Sequence, residues 1–185
     1  MTKISSSPSR AATPRKRAAA AKAPPDPDAV QVRPVRRADL DRVIAIDATV
    51  TGQEKRPYWL RVYRRYGVAS AGEQRHFLVA LRGKDVVGFL IGEVRDWEFG
   101  SPPCGWVFAI DVAPEARQAG TGSLLLAALI AAFRRAGVRK LRTLLSRDNT
   151  VILSFFRSQG MMAGPLIPLE MDLDPPAAAA PKAAR

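Results

Sequence analysis

Apolar positions along the chain switch between the three-to-four-residue period of a helix and the two-residue period of a strand. The pattern predicts, in order, a strand, two helices, three strands, a helix, a strand, a helix and a last strand. The expected spans are 32–35, a helix beginning near residue 39, a helix from 57 to 67, and then 76–81, 86–94, 106–112, 123–136, 141–145, 151–158 and 166–173. This order indicates an α/β fold in which helices flank a mixed sheet.

Local residue types fix several of these boundaries. Asp39 and Asp41 fall in the first turn of the first helix, where carboxylates favour the positive end of the helix dipole. The residues Arg-Gly-Lys-Asp at 82–85 separate two strand-like runs and predict a β-hairpin. Pro165 and Pro168 restrict the last strand to a sheet edge or to a broken start, because proline cannot donate to a ladder. No internal repeat divides the predicted unit.

The 185 residues carry a formal net charge of +12, and half of it lies near the chain ends. Residues 1–30 hold six Lys or Arg against two Asp, and residues 175–185 hold two more basic residues. We predict a disordered, basic tail rich in alanine, proline and serine over 1–29, one domain over 30–174, and a disordered alanine- and proline-rich tail after it. The first tail has no aromatic residues for base stacking, so nucleic acid is not the partner we expect.

Composition excludes several other classes of protein. At 47% hydrophobic residues the chain can bury a core, yet no apolar run reaches the roughly 18 residues of a membrane span. The N-terminal segment lacks the apolar centre of a secretory signal, so a cytoplasmic protein with no membrane partner is expected. Cys104 is the only cysteine, which rules out an internal disulfide and a multi-cysteine zinc site, and no metal is predicted. His76 is the only histidine, and no nucleophile elbow accompanies it.

A glycine-rich segment between the strand 106–112 and the helix 123–136 is the clearest candidate site. Gly120 and Gly122 let a ligand approach the backbone closely, and the helix start adds unpaired N–H donors. With Arg117 at its mouth, the segment predicts an anion site suited to a pyrophosphate. It has neither the lysine of a P-loop nor the third glycine of a dinucleotide fingerprint. A glycine-rich turn without a ligand is the alternative.

Two motifs resemble those of the GCN5-related N-acetyltransferase (GNAT) family. The segment Val-Ala-Pro-Glu-Ala-Arg-Gln-Ala-Gly-Thr-Gly at 112–122 is similar to the family's strand end followed by its Arg/Gln-x-x-Gly-x-Gly/Ala signature. Asn149 and the run Phe-Phe-Arg-Ser-Gln-Gly-Met at 155–161 resemble its Asn…Phe-Tyr-x-x-x-Gly-Phe segment. The resemblance covers residues 32–173 and implies the GNAT fold, a mixed and mostly antiparallel sheet flanked by helices.

The resemblance also implies an acetyl-CoA site built mainly from backbone groups. The strand would pair with the pantetheine arm, and amides of the loop would hold the pyrophosphate. The implied contacts are Ile110, Asp111, Val112, Arg117, Gln118, Ala119, Gly120, Thr121, Gly122, Ser123, Asn149 and Phe156. The implied activity is transfer of the acetyl group from acetyl-CoA to an amine of a small molecule or peptide, by direct attack on the thioester. The amide of Val112 would stabilise the oxyanion.

Three aromatic residues stand where the family usually carries acid–base groups. Phe156 replaces a tyrosine that can protonate the departing thiolate, and Trp106 and Phe108 occupy strand positions that often hold a carboxylate. Strand alternation puts Asp111 on the opposite face from them, unless a bulge shifts the parity. Glu93 enters the predicted site as a substitute base. The other candidates are Glu54 and Asp47 as bases, and Ser154 and Cys104 as proton donors.

Two other functions stay open at this point. Loss of the usual acid and base is compatible with a weakened acyl-CoA-binding or regulatory domain, and the basic tail with a nucleic-acid-associated protein. Trp97, Phe99 and Trp106 indicate either an aromatic-walled acceptor pocket or ordinary core. The positive charge outside the tails argues against a polyamine acceptor. The edge strand permits a homodimer without requiring one.

Overall fold

The computed structural model describes residues 29–68 and 74–173. Its strands are β1 Val30–Pro34, β2 Arg75–Arg82, β3 Asp85–Arg95, β4 Cys104–Val112 and β5 Leu141–Thr143. Its helices are α1 Leu40–Thr51, α2 Arg56–Val62, α3 Thr121–Arg135 and α4 Thr150–Ser158, and a π-helical turn, Tyr63–Gly67, continues α2. Apart from residue 29, the two tails predicted to be disordered lie outside the described residues.

The strands form one mixed sheet in the order β1-β2-β3-β4-β5. Neighbouring strands are antiparallel, except β4 and β5, which pair in parallel. The β2–β3 hairpin turns at Gly83, whose φ of +60° is a left-handed conformation that glycine adopts without a Cβ clash. The predicted fold, a mostly antiparallel sheet flanked by helices, is therefore confirmed.

Helix α1 begins where Asp39 closes a short 3-10 turn, Arg37–Asp39. The Asp39 carboxylate accepts hydrogen bonds from the Arg36 N–H at 2.6 Å and from the Arg33 guanidinium at 2.7 and 2.9 Å. These bonds tie the end of β1 to the start of α1. The predicted place of Asp39 at the helix start is confirmed, and its carboxylate caps the 3-10 turn by accepting the Arg36 N–H.

Each face of the sheet carries one hydrophobic cluster. Helices α1 and α2 cover one face, called the α1 face below, where Trp59 and Phe89 meet edge to face with ring centroids 5.0 Å apart. Helices α3 and α4 cover the opposite α3 face, where Leu125 and Leu129 are fully buried. Because β3 is covered on both faces, its apolar residues form an almost continuous run.

The predicted last strand, 166–173, is wrong. In the described residues after α4, the chain has no regular secondary structure. The apolar residues that alternate there with proline or acidic residues are 77% to 92% exposed: Ile167, Leu169, Met171 and Leu173. Pro165 and Pro168 carry no N–H to donate, and an alternating pattern forms a strand only when a neighbouring strand completes its ladder.

Candidate active site

Strand β4 extends beyond β5, and no other described residue pairs with the rest of that edge. The parallel ladder ends at Val107, because β5 stops two residues before its predicted end. On the other edge, the Ala113 N–H donates to the Val87 carbonyl at 2.9 Å. Since N–H groups alternate along a strand, those of Ile110 and Val112 point towards the open edge. An extended ligand can therefore add to β4 in the place of a strand.

The loop after β4 brings further N–H groups to this edge. Gln118 and Gly120 adopt left-handed φ values of +62° and +76°, and α3 begins directly after them. The first N–H groups of a helix have no intrahelical acceptor, so the start of α3 offers donors and the positive end of its dipole. Thr121 is 1% exposed and its hydroxyl donates to the Ala116 carbonyl at 3.2 Å. Only the backbone of Thr121 can therefore face a ligand.

Arg117 lies where the open edge meets this loop. Its Nε donates to the Val112 carbonyl at 3.1 Å, which places the guanidinium at the end of β4. Gly122 lies in the first turn of α3, and a Cβ built there would come within 3.1 Å of the Phe155 ring on α4. The glycine thus allows α4 to approach the start of α3. Sequence analysis missed Phe155, although it adjoins Phe156 in the second motif.

Helix α4 carries the two predicted contacts on the far side of the site. Asn149 caps this helix, because its side-chain oxygen accepts from the Ile152 N–H at 3.1 Å. Phe156 is 4% exposed and packs in the α3-face cluster, with its ring centroid 5.1 Å from that of Phe155. Both residues therefore have a structural role, and their contacts with a ligand stay predictions.

A β-bulge in β4 changes which of its side chains share a face. The β3–β4 register shifts between Ile91 and Gly92, which leaves Phe108 as an extra residue on β4. As a result, Trp106 before the bulge and Asp111 after it both lie on the α1 face. The expectation that Asp111 faces away from Trp106 holds unless a bulge shifts the parity, and the extra residue at Phe108 is such a bulge and reverses the alternation. Sequence alternation carries no signal of such a bulge.

The ionisation of Asp111 is strongly altered by its surroundings. Burial, together with the charge of Asp47, raises the pKa of this carboxyl to about 6 against the opposing charges of Arg117 and Lys55. Asp47 is itself buried and accepts hydrogen bonds from Trp59 Nε1 at 2.9 Å and from Lys55 Nζ at 3.0 Å. Asp111 therefore exchanges its proton in the pH range where a general base is useful. Sequence analysis gave it only a backbone contact.

Glu93, the predicted substitute base, is buried beside three guanidinium groups. Its carboxylate is 3.0 Å from Arg95 and 3.6 Å from Arg65 and Arg75. Burial and the Glu93 carboxylate, which accepts a hydrogen bond from the Tyr66 hydroxyl, raise the pKa of Tyr66. These partners occupy the carboxylate lone pairs that a base needs to accept a proton. The geometry therefore favours Asp111 over Glu93 as the candidate proton acceptor.

The remaining proton-transfer candidates have other surroundings. Glu54 is exposed and pairs with Arg56 at 3.2 Å, and Ser154 is exposed on α4. Cys104 is buried at the start of β4, where burial raises the pKa of its thiol and the thiol donates to the Lys140 carbonyl at 3.3 Å. Most of the strand therefore separates this thiol from the open end of β4.

The aromatic residues of the predicted acceptor pocket take two different positions. Trp97 and Phe99 follow β3 and are 71% and 67% exposed. Trp106 is buried beneath Arg95 and Arg142, whose guanidinium carbons lie 5.7 and 5.9 Å from its ring centroid. On the α1 face, Trp106 is thus a buried ring, whereas Trp97 and Phe99 are exposed to solvent.

The fold and the two motifs define the class of protein to which this chain belongs. The family model "Acetyltransferase (GNAT) family" matches residues 40–161, more than half of the chain. The chain belongs to the GNAT acetyltransferase family. A comparison with curated protein sequences gives no match. Among the described residues, no helix has the length and apolar character needed to cross a membrane.

Solved structures share this fold at low sequence identity. A transcriptional regulator from Bacillus halodurans C-125 matches with a TM-score of 0.67 at 19% identity, over 78% of this chain and 100% of that one. The aminoglycoside N-acetyltransferase AAC(6')-Iy, in complex with a CoA-containing bisubstrate analog, matches with a TM-score of 0.67 at 18% identity. The match covers 78% of this chain and 98% of that one. The aminoglycoside 6'-N-acetyltransferase AAC(6')-IG from Acinetobacter haemolyticus matches with a TM-score of 0.64 at 16% identity, over 78% of this chain and 99% of that one. At these identities the likeness shows the fold alone.

Proposed function

We propose that this protein is an acetyl-CoA-dependent N-acetyltransferase that acts on an amine of a small molecule or peptide. The observation that carries the proposal is the open edge of β4 beside the start of α3, with Asp111 on the adjoining α1 face. Family membership supports it, and structures of the relative AAC(6')-Iy hold CoA or a CoA-containing analog.

The hydrogen-bond donors and the positive charge around the open edge suit acetyl-CoA. The free N–H groups of Ile110 and Val112 suit the pantetheine arm, whose amides can pair with a strand. The loop and first helical turn, 117–123, offer N–H donors and the Arg117 guanidinium to the pyrophosphate. When bound, acetyl-CoA supplies the acetyl group as an activated thioester. The acceptor amine then approaches from the α1 face.

In the proposed reaction, Asp111 accepts a proton from the acceptor amine. With a pKa of about 6, this carboxylate is ionised at neutral pH and still basic enough to assist. The neutral nitrogen bonds to the acetyl carbon as the thioester C–S bond breaks, and the electron pair of that bond leaves with sulfur. The second nitrogen proton passes to the thiolate or to water. A thiol has a pKa of about 8.5, so its thiolate can leave without a tyrosine at Phe156.

Thermal unfolding of the full chain tests the binding site. Acetyl-CoA at about one hundred times its Kd should stabilise the fold by about 2.7 kcal/mol, a shift of several degrees, whereas NADH and ATP should not. Gly122→Val places a side chain against Phe155 and should abolish this shift. Gly164→Ala is the control, because a Cβ there meets no atom within 4 Å. An unchanged midpoint of the native chain with acetyl-CoA contradicts the proposal.

CoA release from acetyl-CoA, measured with a broad panel of primary amines, tests the chemistry. We expect turnover with at least one amine, and a rate at least about a hundredfold lower in Asp111→Asn, the usual effect of losing a general base. Release that never exceeds the uncatalysed rate, in a chain that acetyl-CoA stabilises, would favour a second candidate function.

That second candidate is an acyl-CoA-binding domain with weakened catalysis, and the surroundings of Phe156 favour it. This residue is buried in the α3-face cluster and offers no hydroxyl to a leaving thiolate. Phe156→Tyr separates the two candidates. A faster CoA release in the variant indicates an enzyme already at work, whereas a domain without catalysis stays inactive.

A further inference from the structure

Four arginines gather on the α1 face, on the other side of the bulge from Asp111. This arginine cluster consists of Arg65, Arg75, Arg95 and Arg142. The first three lie within 3.6 Å of the Glu93 carboxylate, Arg95 also pairs with Glu98 at 3.0 Å, and Arg142 donates to the Ser101 hydroxyl. Against these four arginines stand two glutamates, so the cluster carries an excess of two positive charges.

Aromatic rings lie beside three of these four guanidinium groups, those of Arg65, Arg95 and Arg142. Arg95 lies 4.7 Å from the Phe108 ring centroid, and Arg65 lies 5.4 Å from that of Tyr66. Tyr66 in turn packs on Phe108, with ring centroids 6.3 Å apart. A guanidinium that stacks on a ring still directs its N–H groups outwards in its own plane. Phe108 is 43% exposed and the Arg65 side chain 56%, so solvent and solutes reach the cluster.

The two ends of the β4 surface on the α1 face therefore differ in charge. At one end the carboxyl groups of Asp111 and Asp47 lie with the opposing charges of Arg117 and Lys55, whereas at the other end the arginine cluster around Phe108 carries its positive excess. Asp111 lies three positions after Phe108, which corresponds to about 10 Å along a strand. A molecule that bridges this distance meets a base for its amine at one end and donors for an anion at the other.

We infer that the acceptor carries a carboxylate as well as the amine that is acetylated, and that the arginine cluster binds this carboxylate. The inference rests on the proposed function and names its substrate class: an amino acid with a remote amine, or a peptide that includes an acidic group. The forked guanidinium groups suit a carboxylate, with which arginine forms paired hydrogen bonds. A polycationic amine would meet repulsion at this end of the surface.

The inference is tested by comparing matched acceptors in the CoA-release assay with the full chain. The pairs are glycine, γ-aminobutyrate and ε-aminocaproate, each against its own carboxamide, and sisomicin serves as a polycation. We expect ε-aminocaproate to exceed its carboxamide in kcat/KM by at least about tenfold, the effect of one hydrogen bond to a charged group. Glycine, which cannot span the two ends, should show no such preference.

Peptide arms then distinguish the two sources of the carboxylate. The first peptide is a tripeptide of two alanines and a C-terminal aspartate whose α-carboxyl is amidated and whose side-chain carboxylate is free. It is compared with the same peptide in which asparagine replaces the aspartate. Preference for the aspartate peptide over both ε-aminocaproate and the asparagine peptide assigns the cluster to an acidic peptide. Preference for ε-aminocaproate assigns it to a free amino acid.

Arg65→Gln should lower the acid-to-carboxamide ratio, because it removes one exposed guanidinium of the cluster. Arg135→Gln, which removes an exposed charge from the end of α3, should leave the ratio unchanged.

Equal rates for acid and carboxamide, or a preference for sisomicin, overturn the inference and leave acetyl transfer intact. If no amine releases CoA, the proposed function fails instead. Greater thermal stabilisation by ε-aminocaproate than by its carboxamide, with CoA present, then still supports the carboxylate site, and equal stabilisation refutes it.

Discussion

At the scale of single residues, Asp111 sets the expected pH dependence of activity. Its carboxyl must be ionised to accept a proton, and burial together with Asp47 raises its pKa to about 6. We therefore expect kcat/KM to fall as the pH drops below about 6, and this acidic limb to be absent from the residual activity of Asp111→Asn. The measurement is kcat/KM across this range, with the exposed Asp85→Asn as the control. A limb that persists in Asp111→Asn would assign it to another group.

Lys55 offers a second test at this scale. Its charge lowers the pKa of Asp111, and its Nζ lies 3.0 Å from the Asp47 carboxylate. Lys55→Met removes that charge, so Asp111 favours protonation more and the acidic limb should move to higher pH. Lys84→Met, in the exposed hairpin turn, should leave the limb in place. A limb that stays at the same pH in Lys55→Met would mean that Asp111 does not produce it.

At the scale of elements, the bulge in β4 depends on a glycine in the neighbouring strand. A Cβ on Gly92 would lie 2.7 Å from the Trp106 carbonyl oxygen and 2.7 Å from a methyl of Leu129. Gly92→Ala should therefore destabilise the fold by about 1–3 kcal/mol, as overpacking does, and should lower kcat/KM by displacing the bulge. Urea unfolding measures the first effect, with Gly164→Ala as the control. If both variants unfold at the same urea concentration, the close approach at Gly92 is not a constraint.

The same elements show how far the sequence could predict this structure. Helix α3 and the β2–β3 hairpin follow from apolar period, turn residues and stop signals, which are all local. The face of Asp111 could not be predicted, because the bulge arises from the register between two strands. The strand expected at 166–173 failed for a related reason, since its alternation has no pairing partner in the described structure. Long-range pairing thus set the limits of the prediction.

At the scale of the whole molecule, the sheet separates two tasks. The α3 face carries a closed cluster that fixes the start of α3 and, through Phe155, the approach of α4 to Gly122. The α1 face combines a closed cluster beneath Trp59 with the charged surface that extends from Asp111 to the arginine cluster. The two motifs beside the proposed acetyl-CoA site lie in two short stretches of sequence, 112–122 and 149–161. The charged surface is assembled from α1, the π-helical turn after α2 and the four strands β2 to β5, so no local motif marks it.

The half-buried Asp111 carboxyl, with its raised pKa, also affects the stability of the whole fold. The folded state favours the neutral form of this carboxyl. The contribution of the neutral carboxyl to the free energy of unfolding is therefore fully present below the ordinary aspartate pKa of 3.8, and it is lost as the pH rises through about 6. The difference between these two pKa values lowers the free energy of unfolding of the native chain by about 2–3 kcal/mol at neutral pH. Asn cannot ionise, so Asp111→Asn should raise the midpoint of thermal unfolding by several degrees at pH 8, and by little at pH 4.

The same substitution should stabilise the protein and remove most of its activity, as expected where a fold tolerates a destabilising group because the reaction needs it. The exposed Asp85→Asn provides the control, and it should change the midpoint little at either pH. A midpoint for Asp111→Asn that is lower at pH 8 would show that the charged carboxylate stabilises the fold. Asp111 would then be a structural partner of Lys55 and Arg117 rather than the base, and the search for a proton acceptor would return to Glu93.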